Sequence, residues 1–173
     1  MRQAAEKIVR VIDGLNRIMG QVAGWMVLAL VLITVYDVVM RYVFRAGSVG
    51  IQEAEWHLYS ANFLLAAGWT LLNRGHVRVD MLYQRFKLKT KAWVDVVGSV
   101  LFCIPYCLLI LWAAWPFVLD SWVLNEGSPD PGGLPARYVL KTIILVSFVL
   151  LGFQAISETI KNVLVLKGHR EQP

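Results

Sequence analysis

A four-helix, all-α integral membrane protein is the fold class this sequence predicts, and three observations predict it. The mean hydropathy is +0.56 with 57% apolar residues, too greasy for 173 residues that must cover their own surface in water. Uncharged apolar runs recur at Ile18–Tyr36, Trp56–Asn73, Val96–Leu119 and Thr142–Ser157. Basic residues are distributed unevenly between the loops that join these runs. A helix crosses roughly 30 Å of hydrocarbon in about 20 residues. The expected single domain, 1–173, therefore has spans at about 18–44, 51–73, 92–119 and 137–160. The fourth run is short, and Lys141 and Glu158 extend it by reaching the headgroup layer.

The first element precedes the first span. Met1–Asn16 places Ala4, Ile8, Val11, Ile12 and Leu15 at helical spacing, with Arg2, Glu6, Lys7 and Arg10 elsewhere. It reads as an N-terminal amphipathic helix lying on an anionic membrane face. The competing reading is a solvated extension of helix one. The first apolar run is too long for a signal peptide and runs into Asp37 and Arg41 without a small-residue cleavage site, so it is expected to be retained.

Counting Lys and Arg orients the helices. The N-terminus, the Asn73–Lys91 stretch and the C-terminus carry thirteen; the opposite side carries four, Arg41, Arg45, Arg137 and Lys141. Both termini are thus expected in the cytoplasm. The net charge of +5 belongs to that face, where anionic lipids are the expected counterpart and nucleic acid is not. The stretch "NRGHVRVDMLYQRFKLKTK" concentrates His76, Arg78, Asp80, Arg85 and Lys87. Val79, Leu82, Tyr83 and Phe86 fall on one helical face, suggesting a short surface helix pressed into the interface. On the other side, "DSWVLNEGSPDPGGLPAR" holds three prolines and three glycines. It predicts a rigid, turn-rich cap with Glu126, Ser128 and Arg137 as its polar members. Pro135 is expected in the first turn of helix four.

Each chemical reading has a bland rival. His76 and Asp80 are four apart, but no neighbouring Cys or second His completes a metal site. His57, His76 and His169 offer no facing pair for haem. Cys103 and Cys107 share a face of helix three and read as small buried hydrophobes, with Pro105 between them expected to kink or soften the helix. No cofactor is expected. Asp37 and Arg41 are spaced to form a structural ion pair near the membrane boundary, with Glu53 and Glu55 as candidate third members; the rival is a proton or ion relay.

The run "YDVVMRYVF", followed by "GSVGIQEAEWHLYSANFLLAAGWTLLNRGHVRVDMLY", "PDPGGLPARYVLKT" and "FQAISETIKNVL", resembles the small membrane subunit of tripartite ATP-independent periplasmic (TRAP) transporters. The latter motifs are most similar to the mannitol/chloroaromatic-compound subgroup. The resemblance spans nearly the whole chain. It implies a four-helix, non-catalytic subunit of the bacterial inner membrane. That subunit would scaffold a large sodium-coupled transport subunit, with a periplasmic solute-binding protein delivering an organic acid or related solute. From the residues alone, the alternative is a small redox or quinone-interacting subunit of a respiratory complex.

Overall fold

A computed structural model describes residues 2–73, 75, 83 and 86–168 of the chain. Four long helices account for most of them: α1 (Arg2–Tyr42), α2 (Val49–Leu72), α3 (Leu88–Val123) and α4 (Arg137–Leu166). No strand occurs among the described residues. α1, α3 and α4 are long and apolar enough to cross a membrane. α2 is 24 residues long, and Glu53, Glu55, His57 and Asn62 interrupt its apolar character. Its position explains how it tolerates Glu53 and Asn62. α2 lies between α1 and α4; Glu53 takes partners from α4 and the connection before it, and Asn62 Nδ2 donates to the Ala23 carbonyl at 2.5 Å, whereas His57 Nδ1 bonds within its own helix, to the Glu53 carbonyl. Ser147 Oγ of α4 donates to the Leu64 carbonyl at 2.6 Å.

The helices form an open array rather than a closed bundle. α4 packs on all three others, whereas α1 and α3 flank it without extensive packing on one another. Close approach relies on small residues, as expected where lipid removes most of the hydrophobic drive between helices. The buried apolar positions include Ala23, Ala61, Ala92, Cys107 and Ala155. At Gly68 of α2 an added methyl would overlap Asn16 Oδ1, and at Gly20 of α1 it would overlap the Trp69 ring. Most large apolar side chains, among them Trp25, Leu32, Phe63, Leu101 and Trp112, point outward.

Two sequence expectations change here, and a third takes a definite form. The N-terminal segment is not a separate interfacial helix, because α1 runs unbroken from Arg2 to Tyr42. At 1.5 Å per residue it is about 60 Å long, and Asn16 is completely buried. The physical reason is a set of polar partners on α4, described below. Pro135 does not sit inside α4, which begins at Arg137 after Ala136 adopts a left-handed φ of 65°. In α3 the effect of Pro105 is a π-helical turn over Ser99–Cys103. The Ile104 N–H bonds back to the Ser99 carbonyl, widening the helix just where the proline ring would crowd the carbonyl four residues earlier.

Candidate functional site

The ion-paired side chains of the array collect toward its two ends. At one end lies the 124–136 connection between α3 and α4, and its anchor is Glu53 on α2. Glu53 is 4% exposed and accepts three hydrogen bonds: from Ser128 Oγ at 2.5 Å, from the Leu134 N–H at 2.6 Å and from Arg137 Nη2 at 2.9 Å. Ser128 also accepts from the Asp130 N–H. The loop closes on itself through Ser128 N–H to the Leu134 carbonyl and Arg137 N–H to the Glu126 carbonyl. Gly132 supplies the left-handed φ of 81° its turn requires. A Cβ at Gly133 would press on Glu53 Oε2 and Ser128.

A second carboxylate sits beside the first. Glu126 accepts from Lys141 Nζ and from Ser121 Oγ. The Lys141 bond, then the Ser121 bond, hold its carboxyl below the ordinary value of 4.5. The sign follows: a depressed carboxylate favours the folded loop at neutral pH, and that contribution is lost only as pH falls through the lowered value. Arg137 also stacks over Trp56 and Lys141 over Phe117, beside a lateral cleft of about 510 Å³ lined by Trp56, Tyr59, Phe63 and Phe117. Each cation therefore has both a carboxylate and an aromatic partner.

The other end ties α1 to α4. Asp13 Oδ1 accepts from Ser157 Oγ at 2.8 Å and Gln154 Nε2 at 3.0 Å, while its Oδ2 faces Lys161 Nζ at 2.8 Å. Lys161 also reaches Glu158 Oε1 at 2.6 Å, and Asn16 Nδ2 donates to Gln154 Oε1 at 2.9 Å. Gln154, Ser157 and Asn16 are fully buried. One lysine thus serves two carboxylates in a largely buried polar knot.

The expected site residues distribute as follows. Arg41 donates to Asp37 on the same face of α1, and Asp37 is 2% exposed. Glu53 does not join that pair, because it faces Arg137, Ser128 and the loop instead. Glu55 is half-buried, and no hydrogen bond to its Oε1 occurs among the described residues. Glu126, Ser128 and Arg137 meet around the loop. Lys87 is exposed immediately before α3. His76, Arg78, Asp80 and Arg85 lie outside the described residues, as do Val79 and Leu82 of the expected surface helix. Tyr83 donates to Asp95 of α3 at 2.8 Å, and Lys91 lies over its ring. The knot of Asp13, Asn16, Gln154, Ser157 and Lys161 was not anticipated as a site. Its signal was a row of polar residues at 154, 157, 158 and 161 on one face of an otherwise apolar helix.

Among the described residues no cluster of three His, Cys, Asp or Glu side chains could hold a metal. The two ends are built of bonds that fasten helices and a loop. Residues 30–164 match the family model for the DctQ component of tripartite ATP-independent periplasmic transporters. The chain belongs to the DctQ family. No curated protein and no solved structure matches it. DctQ proteins are the small membrane subunits of TRAP transporters, working with a large membrane subunit and a periplasmic binding protein. As a DctQ protein with several apolar helices, the chain is a multi-pass membrane protein and a component of a transporter. The family does not favour the redox alternative.

Proposed function

We propose that this DctQ protein is the stationary scaffold of its transporter. In this reading it holds a large, sodium-coupled subunit in the bacterial cytoplasmic membrane for uptake of an organic acid or related solute. The observation that carries the proposal is the open array: α1 and α3 flank α4 and leave most of their apolar length facing outward. Helices in lipid associate through close packing and a few polar contacts, and a long face of this kind suits a large helical partner.

α2 is then a fourth span, its polar residues sheltered between α1 and α4. Both termini face the cytoplasm, in keeping with the thirteen-to-four distribution of basic residues. The clasped 124–136 loop faces the periplasm as a firm platform for the binding protein. Asp37 and Arg41 act as a structural ion pair. His76, Arg78 and Asp80 order the cytoplasmic passage after α2, and Arg85 and Lys87 meet anionic headgroups or the large subunit. The motif "PDPGGLPARYVLKT" supports placement in the mannitol/chloroaromatic subgroup.

Two experiments test this reading. Deleting the chain should abolish or cripple uptake, while conservative point changes within it leave the substrate profile unaltered. A single substitution here that switched substrate preference would refute the scaffold role. For orientation, Ser128→Cys and Thr90→Cys are placed separately in a background lacking Cys103 and Cys107. An impermeant thiol reagent should label the first from outside intact cells; labelling of Thr90→Cys would reverse the topology.

A further inference from the structure

α2 and α3 each pack along α4 without extensive packing on one another, and the lateral cleft of about 510 Å³ is the space left between them. Leu140 and Ile144 of α4 form its floor, Ser60 and Phe63 of α2 one wall, and Phe117 of α3 the other. The charged members of its lining, Glu126, Arg137 and Lys141, all stand at the end nearest the 124–136 loop. Ile144, seven residues into α4 from Arg137, lies about 10 Å deeper along the helix. Ions therefore line one end of the cleft and hydrocarbon side chains line the rest. Arg137 over Trp56 and Lys141 over Phe117 hold the two cations against opposite walls.

These ions are incompletely used. Among the described residues Lys141 Nζ donates only to Glu126, although an ammonium carries three N–H groups. The Arg137 guanidinium donates there only through Nη2, to Glu53, of its five N–H groups. Four residues apart on α4, the two cations are neighbours on one helix face. Glu126 accepts from both Lys141 and Ser121 on Oε2, which leaves Oε1 without a donor among the described residues. Its side chain is 33% exposed and that of Lys141 19%. Spare donors and a spare carboxylate oxygen thus lie side by side. The charges of Glu53, Glu126, Arg137 and Lys141 already balance, so a bare anion would bring uncompensated negative charge into a poorly hydrated site. A zwitterion would not.

We propose that the cleft between α2 and α3 binds one zwitterionic aminophospholipid of the phosphatidylethanolamine class. Its phosphate oxygens accept from Lys141 and Arg137, its ammonium donates to Glu126 Oε1, and one acyl chain lies along Leu140, Ile144 and Phe63. Both halves of the site argue for this occupant. The cleft opens sideways from a multi-pass membrane protein, where hydrocarbon is the solvent of its apolar walls. Any lipid could supply the chain, but the paired charges select the headgroup. Phosphatidylglycerol carries no cation for Glu126, and the trimethylammonium of phosphatidylcholine has no N–H to donate. The bound lipid wedges α2 and α3 against α4 beside the clasped loop, whatever partner the chain serves.

The test titrates the delipidated full chain, in detergent, with dioleoyl phosphatidylethanolamine, phosphatidylglycerol or phosphatidylcholine, counting bound lipid by native mass spectrometry. Phosphatidylethanolamine should bind at one per chain, about fivefold tighter than the other two. Glu126→Gln should reverse the order in favour of phosphatidylglycerol, because it removes the ammonium's partner and leaves the site with a net positive charge. Ser60→Trp fills the cleft, and Ser60 makes no side-chain bond among the described residues, so the charges stay in place; phosphatidylethanolamine binding should fall about tenfold. Helical content and elution volume establish that each variant is folded, and Glu126→Gln decides alone if Ser60→Trp is not. Equal binding of the three lipids by the parent would mean that the cleft holds bulk lipid only. An unchanged preference in Glu126→Gln or in folded Ser60→Trp would place the headgroup elsewhere. Loss of the bound lipid when the chain is purified with its large subunit would assign the cleft to that partner. Each of these three outcomes overturns the proposal.

Discussion

Glu53→Gln should release the 124–136 loop from the helices it caps. The carboxylate receives three donors, Ser128 Oγ, the Leu134 N–H and Arg137 Nη2. A glutamine offers one acceptor oxygen, and its NH2 would be set against at least one of those donors. Arg137, whose side chain is 24% exposed, would lose its counter-charge at the same step. The loop has few other fastenings to α2, so the effect should be large: rapid protease cleavage between α3 and α4, and a marked fall in thermal stability. Glu126→Gln is the comparison. Its side chain is 33% exposed, and it ties Ser121 to Lys141 without touching α2, so its loss should leave the loop seated. If the loop is a docking platform, Glu53→Gln should also weaken capture of the binding protein. Equal protease resistance in Glu53→Gln and the parent would mean that the loop is held by its own turns alone.

The elements of this fold differ in how plainly the sequence reveals them. Three apolar helices are legible because crossing lipid takes about 20 predominantly apolar residues in sequence, which makes each run a self-contained signal. α2 is harder to read, since Glu53 and Asn62 find their partners only on other elements, at Ser128, Arg137 and the Ala23 carbonyl. The N-terminal segment is ambiguous in principle: an interfacial helix and a packed extension share the same period, and only Asp13 and Asn16 finding partners on α4 separates them. The same limit applies to the polar clasps. Arg41 and Asp37 are four apart and can be paired on paper, whereas Glu53 and Arg137 are 84 residues apart and Asp13 and Ser157 are 144 apart. No local rule joins residues at such separations. Glu53, a candidate third member of the Asp37–Arg41 pair, instead meets Ser128, Leu134 and Arg137, across separations of that kind. What could be read was the odd polar residue inside an apolar helix, which says that a partner exists but not which one.

Lys161→Met should be the most damaging change at the opposite end. Lys161 lies between Asp13 Oδ2 and Glu158 Oε1, at 2.8 and 2.6 Å, with its own side chain 11% exposed. Removing the one cation leaves two carboxylates in a mostly buried site, where like charges cannot both remain ionised without cost. Breaking a buried pair from one side typically costs about 3–5 kcal/mol, and the partial exposure of Asp13 places this case near the lower end. Asp13→Asn is the milder partner experiment, since Lys161 keeps Glu158 and the amide still accepts from Ser157; about 1 kcal/mol is expected. The decisive variant combines Lys161→Met, Asp13→Asn and Glu158→Gln. It contains no buried charge, so it should recover much of the loss seen with Lys161→Met alone. Unfolding in mild detergent, followed by far-ultraviolet circular dichroism, gives all three values. Were Lys161→Met no worse than Asp13→Asn, the lysine would not be what balances the two carboxylates. The hold of α4 on the N-terminal part of α1 would then rest on the bond between Asn16 and Gln154 and on those that Asp13 accepts from Ser157 and Gln154.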